Sequence, residues 1–87
     1  MPYDIKFDEK IEQEFEKLKK KDKGLYTETM KKILRIVENP FLGKPLRNVL
    51  KGKYRVHIGH FVLIYEVDNE AHQIIIITLA HHDDAYR

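Results

Sequence analysis

The chain is 87 residues long and carries 16 Lys and Arg against 14 Asp and Glu, a formal charge of +2. That length supports one hydrophobic core, so a single domain over residues 1–87 is expected, with a thin stability margin that a bound partner would widen. The absence of cysteine excludes a disulfide framework, thiolate chemistry and a Cys-based zinc site.

The opening "MPYDIKFDEK" has acids where a secretion signal would have a basic end and an apolar stretch. Apolar runs such as Ile74 to Ile77 fall far below the roughly 20 residues of a membrane helix. A cytoplasmic protein with no membrane partner is the expectation. Tyr3, Ile5 and Phe7 alternate with Asp4 and Lys6, which predicts a half-buried strand. Asp8 suits the N-cap of a helix with Ile11, Phe15 and Leu18 along one face. "KKKDKG" should end it, because lysines favour the C-terminal end of the helix dipole and Gly24 can take a left-handed turn. Glu9, Glu12, Glu14 and Glu16 precede those lysines, so the run reads as a solvated face of mixed charge. Thr27 is the expected cap of a second helix, with Met30, Ile33, Leu34 and Val37 as its core stripe. Pro40 stops that helix and biases Asn39 away from helical geometry.

"FLGKPLRNVLKGK" reads as an irregular lead-in punctuated by Gly43, Pro45 and Gly52. Three strands follow at Lys53–Ile58, Phe61–Val67 and Gln73–Leu79, joined by turns at Gly59-His60 and at "DNEA". The last strand is apolar on both faces, which argues for a central, doubly covered place. The expected fold is α+β with the order β-α-α-β-β-β: a mainly antiparallel four-stranded sheet with a helical hairpin packed on one face.

Between residues 39 and 67 five basic groups, Lys44, Arg47, Lys51, Lys53 and Arg55, meet a single acid, Glu66. Such a stripe attracts phosphates or an acidic segment in a salt-dependent way, or simply keeps the surface soluble. Arg55 and His57 share one strand face by the period of two, opposite Tyr54, Val56 and Ile58. The next strand offers Val62 and Ile64. His81, His82 and Tyr86 follow near the end of the sheet. Adjacent strand residues point to opposite faces, so His81-His82 with Asp83 or Asp84 has no diagnostic ligand spacing. No metal and no cofactor are expected. There is no serine and no Gly-rich phosphate loop. The remaining groups suit phosphodiester chemistry on RNA, where the substrate's own 2′-hydroxyl attacks. The protein then supplies a base, an acid and cationic donors for the charge on phosphate. Imidazoles and a tyrosine can move protons, and Arg can clamp phosphate oxygens. On composition alone, exposed strand and tail residues are the better reading of these groups.

"ENPFLGKPLRNVLKGKYRVHIGHFVLIYEVD" and the later "LAHHDDAY" resemble the RelE/ParE toxin superfamily, over nearly the whole chain. The resemblance implies the toxin of a two-gene toxin–antitoxin pair, held by a small, acidic, partly disordered antitoxin. For RelE-like members it implies metal-free cleavage of mRNA on the ribosome; for ParE-like members, poisoning of DNA gyrase. Carried onto this sequence, it makes Arg55 a phosphate ligand, with His57 and His81 as acid/base candidates. Tyr86 would orient or exchange a proton, and Arg47, Lys51 and Lys53 would attract RNA. Two positions where the RelE pattern has arginine hold Val62 and His82 instead. Losing one positioned donor can cost on the order of 3 kcal/mol in transition-state stabilisation. The expected activity is therefore RNA cleavage at reduced rate. The alternative is a ParE-like gyrase inhibitor or a catalytically inactive antitoxin-binding homologue.

Overall fold

The structure is a computed structural model and describes residues 2–84. In chain order the elements are β1 (Asp4–Phe7), α1 (Glu9–Lys21), α2 (Lys23–Glu38), β2 (Lys44–Pro45), a single 3-10 turn (Asn48–Leu50), β3 (Lys53–Ile58), β4 (Phe61–Asp68) and β5 (Gln73–His81). The strands form one five-stranded sheet in the order β1-β5-β4-β3-β2. β1 runs parallel to β5 and every other pair is antiparallel. The expected α+β order holds, with β2 added at one edge from a segment that reads as irregular in sequence.

Asp8 caps α1 as expected, its Oδ1 accepting from the Ile11 N–H at 2.8 Å. The junction between the helices differs from the expectation. Asp22 both terminates α1 and caps α2, accepting from the Leu25 N–H at 3.1 Å. Gly24 and Thr27 consequently lie inside α2. A carboxylate that satisfies an orphan N–H at a helix start makes the left-handed glycine stop unnecessary.

The helices cover one face of the sheet. The core there joins Ile11 and Phe15 of α1, Ile33 and Ile36 of α2, and Val56, Ile58, Leu63, Tyr65, Ile74 and Ile76 of the sheet. Each fully buried aliphatic side chain of this set contributes about 1.5–3 kcal/mol relative to exposure. Leu34, expected in the stripe of α2, is 61% exposed, and Ile36 takes the inward place. The strand buried on both faces is β4, where Val62, Leu63, Ile64 and Tyr65 are all inaccessible, rather than β5. β5 does lie inside the sheet, but only Ile74 and Ile76 are fully buried, while Ile75 and Ile77 are half-buried.

Between β4 and β5 the ladder carries a bulge: Tyr65 pairs with Ile76 but Ile64 pairs with Thr78, which leaves Ile77 as the extra residue. Gly59 turns β3 into β4 at φ 61°, the left-handed value that a tight hairpin needs at its first central position.

Candidate functional site

The register assembles rows of side chains on the face away from the helices. One row crosses Lys44, Arg55, Ile64 and Thr78; the next crosses His57, Val62 and Ala80. His82 continues this face beyond Ala80, its ring lying 5.8 Å from that of His57 at an interplanar angle of 27°. Its backbone is fixed by an N–H donated to the His60 carbonyl at 2.8 Å. His81 pairs with Phe61 and lies against that ring and the His60 ring, at 5.6 and 6.3 Å. Of the two neighbours, His82 therefore joins Arg55 and His57, and His81 does not.

Arg55 and His57 are in direct contact, with Nη1 of Arg55 3.0 Å from Nε2 of His57. Guanidinium can only donate, so Nε2 of His57 accepts and its ring proton sits on Nδ1. Asp83 approaches both terminal imidazoles, with Oδ2 3.6 Å from His81 Nδ1 and Oδ1 3.7 Å from His82 Nδ1. The fifth histidine, His72, stacks on Tyr3 at 3.8 Å in the turn that leads into β5, at the opposite end of that strand.

The basic stripe divides. Lys53 stands opposite Glu66 in the ladder and approaches it at 3.7 Å, which offsets part of its charge. Lys51 is exposed in the turn before β3. Arg47 lines an open groove of about 620 Å³ together with Lys44, Pro45, Leu46 and Arg55. Lys44 is the member that period-two reasoning missed: it belongs to the acid-free stretch, but β2 is too short to show alternation. Tyr86 lies outside the described residues.

Val62, where the resemblance would place arginine, is wholly inaccessible at the centre of its row. Among the described residues no three His, Asp or Glu side chains converge as a metal-binding group. No described helix is long and apolar enough to cross a membrane.

One hydroxyl holds the groove's edge in place. Tyr65, buried in β4, donates to the Pro40 carbonyl and accepts from the Gly43 N–H, both at 2.8 Å. Burial pushes this phenol above its usual range, against the lowering effect of the Gly43 hydrogen bond.

A helical hairpin on one face of a small sheet, with cations and paired imidazoles on the other, defines an α+β domain with an uncovered basic face. Residues 5–86 match the family described as the ParE toxin of the type II toxin–antitoxin system parDE, and the chain belongs to the RelE/ParE toxin superfamily of those systems. It is 35% identical over 85 residues to an uncharacterised protein of Methanosarcina mazei, covering 97% of this chain and 99% of the relative. It is also 35% identical over 86 residues to the Methanocaldococcus jannaschii protein named "Putative toxin RelE4", covering 98% of this chain and 92% of that one. The toxin–antitoxin complex RelBE2 of Mycobacterium tuberculosis contains a chain that superposes with a TM-score of 0.79 at 24% identity. That match covers 93% of this chain and 99% of the other, and at such identity it speaks for the fold alone.

Proposed function

We propose that this toxin is RelE-like and acts as a metal-independent endoribonuclease on mRNA at the ribosome, restrained by a cognate antitoxin. The observation that carries the reading is the convergence of Arg55, His57 and His82 on one face of the sheet. The name of the Methanocaldococcus relative supports it, and the RelBE2 complex supports an antitoxin partner.

In this reading the RNA 2′-oxygen forms a bond to phosphorus as the bond to the 5′-oxygen breaks. The products are a 2′,3′-cyclic phosphate and a free 5′-hydroxyl. One imidazole takes the 2′-hydroxyl proton and the other returns a proton to the leaving oxygen, work typically worth about 10²–10⁴ in rate. Arg55 binds the phosphate oxygens as charge grows on them. Without RNA its Nη1 covers the lone pair of His57 Nε2. A phosphate that draws Arg55 onto itself would release that lone pair to serve as the base. His82, with Asp83 beside its Nδ1, is then the acid. His81 recedes to a supporting position against Phe61.

A second reading has a specific observation behind it. The matching family is described by its ParE member, and Val62 puts an apolar, inaccessible residue in the middle of the proposed site. A ParE-like gyrase inhibitor, or a homologue that binds antitoxin without cleaving, would tolerate that.

Purified protein added to translating ribosomes, with mapping of new RNA ends and a gyrase supercoiling assay on the same preparation, separates the two. New ends bearing 5′-hydroxyls are expected. Blocked supercoiling with intact message would replace the first reading by the second.

A further inference from the structure

Lys44 on β2 stands directly opposite Arg55 on β3, with Arg47 further along the same segment. The three cations line the 620 Å³ groove with Pro45 and Leu46, and among the described residues no acidic side chain is in its walls. Like charges placed opposite each other on neighbouring strands destabilise a sheet. Lys44 and Arg55 are therefore a like-charge pair across the ladder, a placement that favours an anion bound beside both.

The backbone around the groove is tied down. The Leu46 N–H donates to the Lys53 carbonyl at 2.9 Å, and the Leu50 N–H to the Arg47 carbonyl at 3.1 Å. Asn48 is held at φ 58°, a left-handed value that asparagine tolerates better than most residues, within the 3-10 turn. Cations on a fixed backbone bind at a lower ordering cost than cations on a loose loop. The volume exceeds what a lone phosphate fills and lies in the range of pockets that hold drug-sized ligands, about 300–1,000 Å³. Its walls pair charge with an apolar surface, the combination a nucleotide presents.

We infer that this groove is a subsite for the nucleotide flanking the scissile phosphate, resting on the RNA-cleaving reading of Arg55, His57 and His82. Lys44 and Arg47 hold the neighbouring phosphodiester, and its base lies against Pro45 and Leu46. Single-stranded RNA thus runs from β3 out over the sheet edge at β2. An acidic peptide would satisfy the same cations, and it is the RNA-cleaving reading of the imidazoles beyond Arg55 that favours a chain of phosphates.

The test uses the full chain and a double variant, Lys44→Thr with Arg47→Gln, which leaves Arg55 intact. The probes are a 2′-O-methyl dinucleotide and a 2′-O-methyl hexanucleotide, neither of which can be cleaved, titrated at several KCl concentrations. The wild type should bind the hexanucleotide more tightly than the dinucleotide. The variant should keep its dinucleotide affinity and lose the gain from length, by roughly tenfold per lost charged contact. Its slope of log K against log[KCl] should flatten by about 0.7, for the one phosphate of a single strand that the two cations neutralise together. A folded variant that keeps both the length gain and the slope overturns the subsite while leaving RNA binding intact. A wild type that binds neither probe overturns the subsite, while the RNA-cleaving reading is decided separately by new RNA ends on translating ribosomes. Displacement of the hexanucleotide by oligoglutamate but not by excess dinucleotide would overturn the nucleotide assignment in favour of an acidic protein partner.

Discussion

The hydroxyl of Tyr65 accepts a hydrogen bond from the amide of Gly43 at 2.8 Å, across 22 residues of chain. The same hydroxyl donates to Pro40, so one buried phenol fastens the segment that leads into β2 and places Lys44 beside Arg55. Tyr65→Phe removes the hydroxyl and strands both backbone groups, at a cost of about 1–3 kcal/mol. The measurement is urea denaturation, with a lower midpoint expected at unchanged slope. Gly43→Ala attacks the same contact from the other side. A Cβ there would lie 2.7 Å from the Tyr65 hydroxyl and 2.8 Å from the Arg55 carbonyl oxygen. The carbonyl belongs to a paired strand and cannot retreat, so overpacking of about 1–3 kcal/mol is expected. An alanine variant as stable as wild type would mean that the strap is looser than its geometry.

The raised pKa of Tyr65 gives this contact a pH dependence with a definite sign. Burial favours the neutral phenol, so the folded-state pKa lies above the ordinary value of 10.0. The contribution is complete below the unfolded value and is lost as pH rises through the folded one. Thermal denaturation from about pH 8 to pH 11 should show the wild type losing Tm more steeply at the alkaline end than Tyr65→Phe. Lysine titration affects both proteins alike, so the difference between their curves is the quantity that matters.

Much of this architecture is legible in the residues, and the failures have physical causes. The bounds of β3 and the start of β4 follow from alternation and from Gly59, a glycine whose φ of 61° the turn requires. The core stripe of α2 was legible as helical but not in its rotation. Leu34 and Ile36 are both apolar, and only packing against the sheet decides that Ile36 turns inward. The run Ile74–Ile77 has no alternation at all, so nothing local marks which isoleucine is the bulge. The rows that gather Lys44, Arg55 and His82 depend on pairings between distant strands, which no single stretch of sequence contains.

Val62 tests whether the greasy centre of the site limits its chemistry. It is inaccessible and lies between His57 and Ala80 in its row. Val62→Arg places a long cation there, and its guanidinium must reach outward past its neighbours to stay solvated. Inserting that bulk should cost about 1–3 kcal/mol, read as a lower urea midpoint. If the proposed RNA cleavage holds, its rate per folded molecule should rise, because a second donor would then face the phosphate beside Arg55. A stable, RNA-binding variant with no gain would show that Val62 does not mark a missing phosphate contact.

The bulge at Ile77 decides which of two adjacent histidines can work with His57. Counted at a strict period of two from Ile74, a regular β5 would send His82 to the helix side and His81 to the outer face. The extra residue reverses this, so Thr78 stands beside Ile64, Ala80 beside Val62, and the His82 ring beside that of His57. If the proposed chemistry holds, His82→Ala should lower the cleavage rate by roughly a hundredfold or more, as loss of a general acid does. His81→Ala removes a ring that packs on Phe61, and its loss should be below about tenfold. Deleting Ile77 removes only the unpaired residue, so both halves of the ladder keep their partners and His82 keeps its face. That deletion should retain cleavage in a folded protein, while equal losses in His81→Ala and His82→Ala would return the acid's role to both imidazoles that Asp83 approaches.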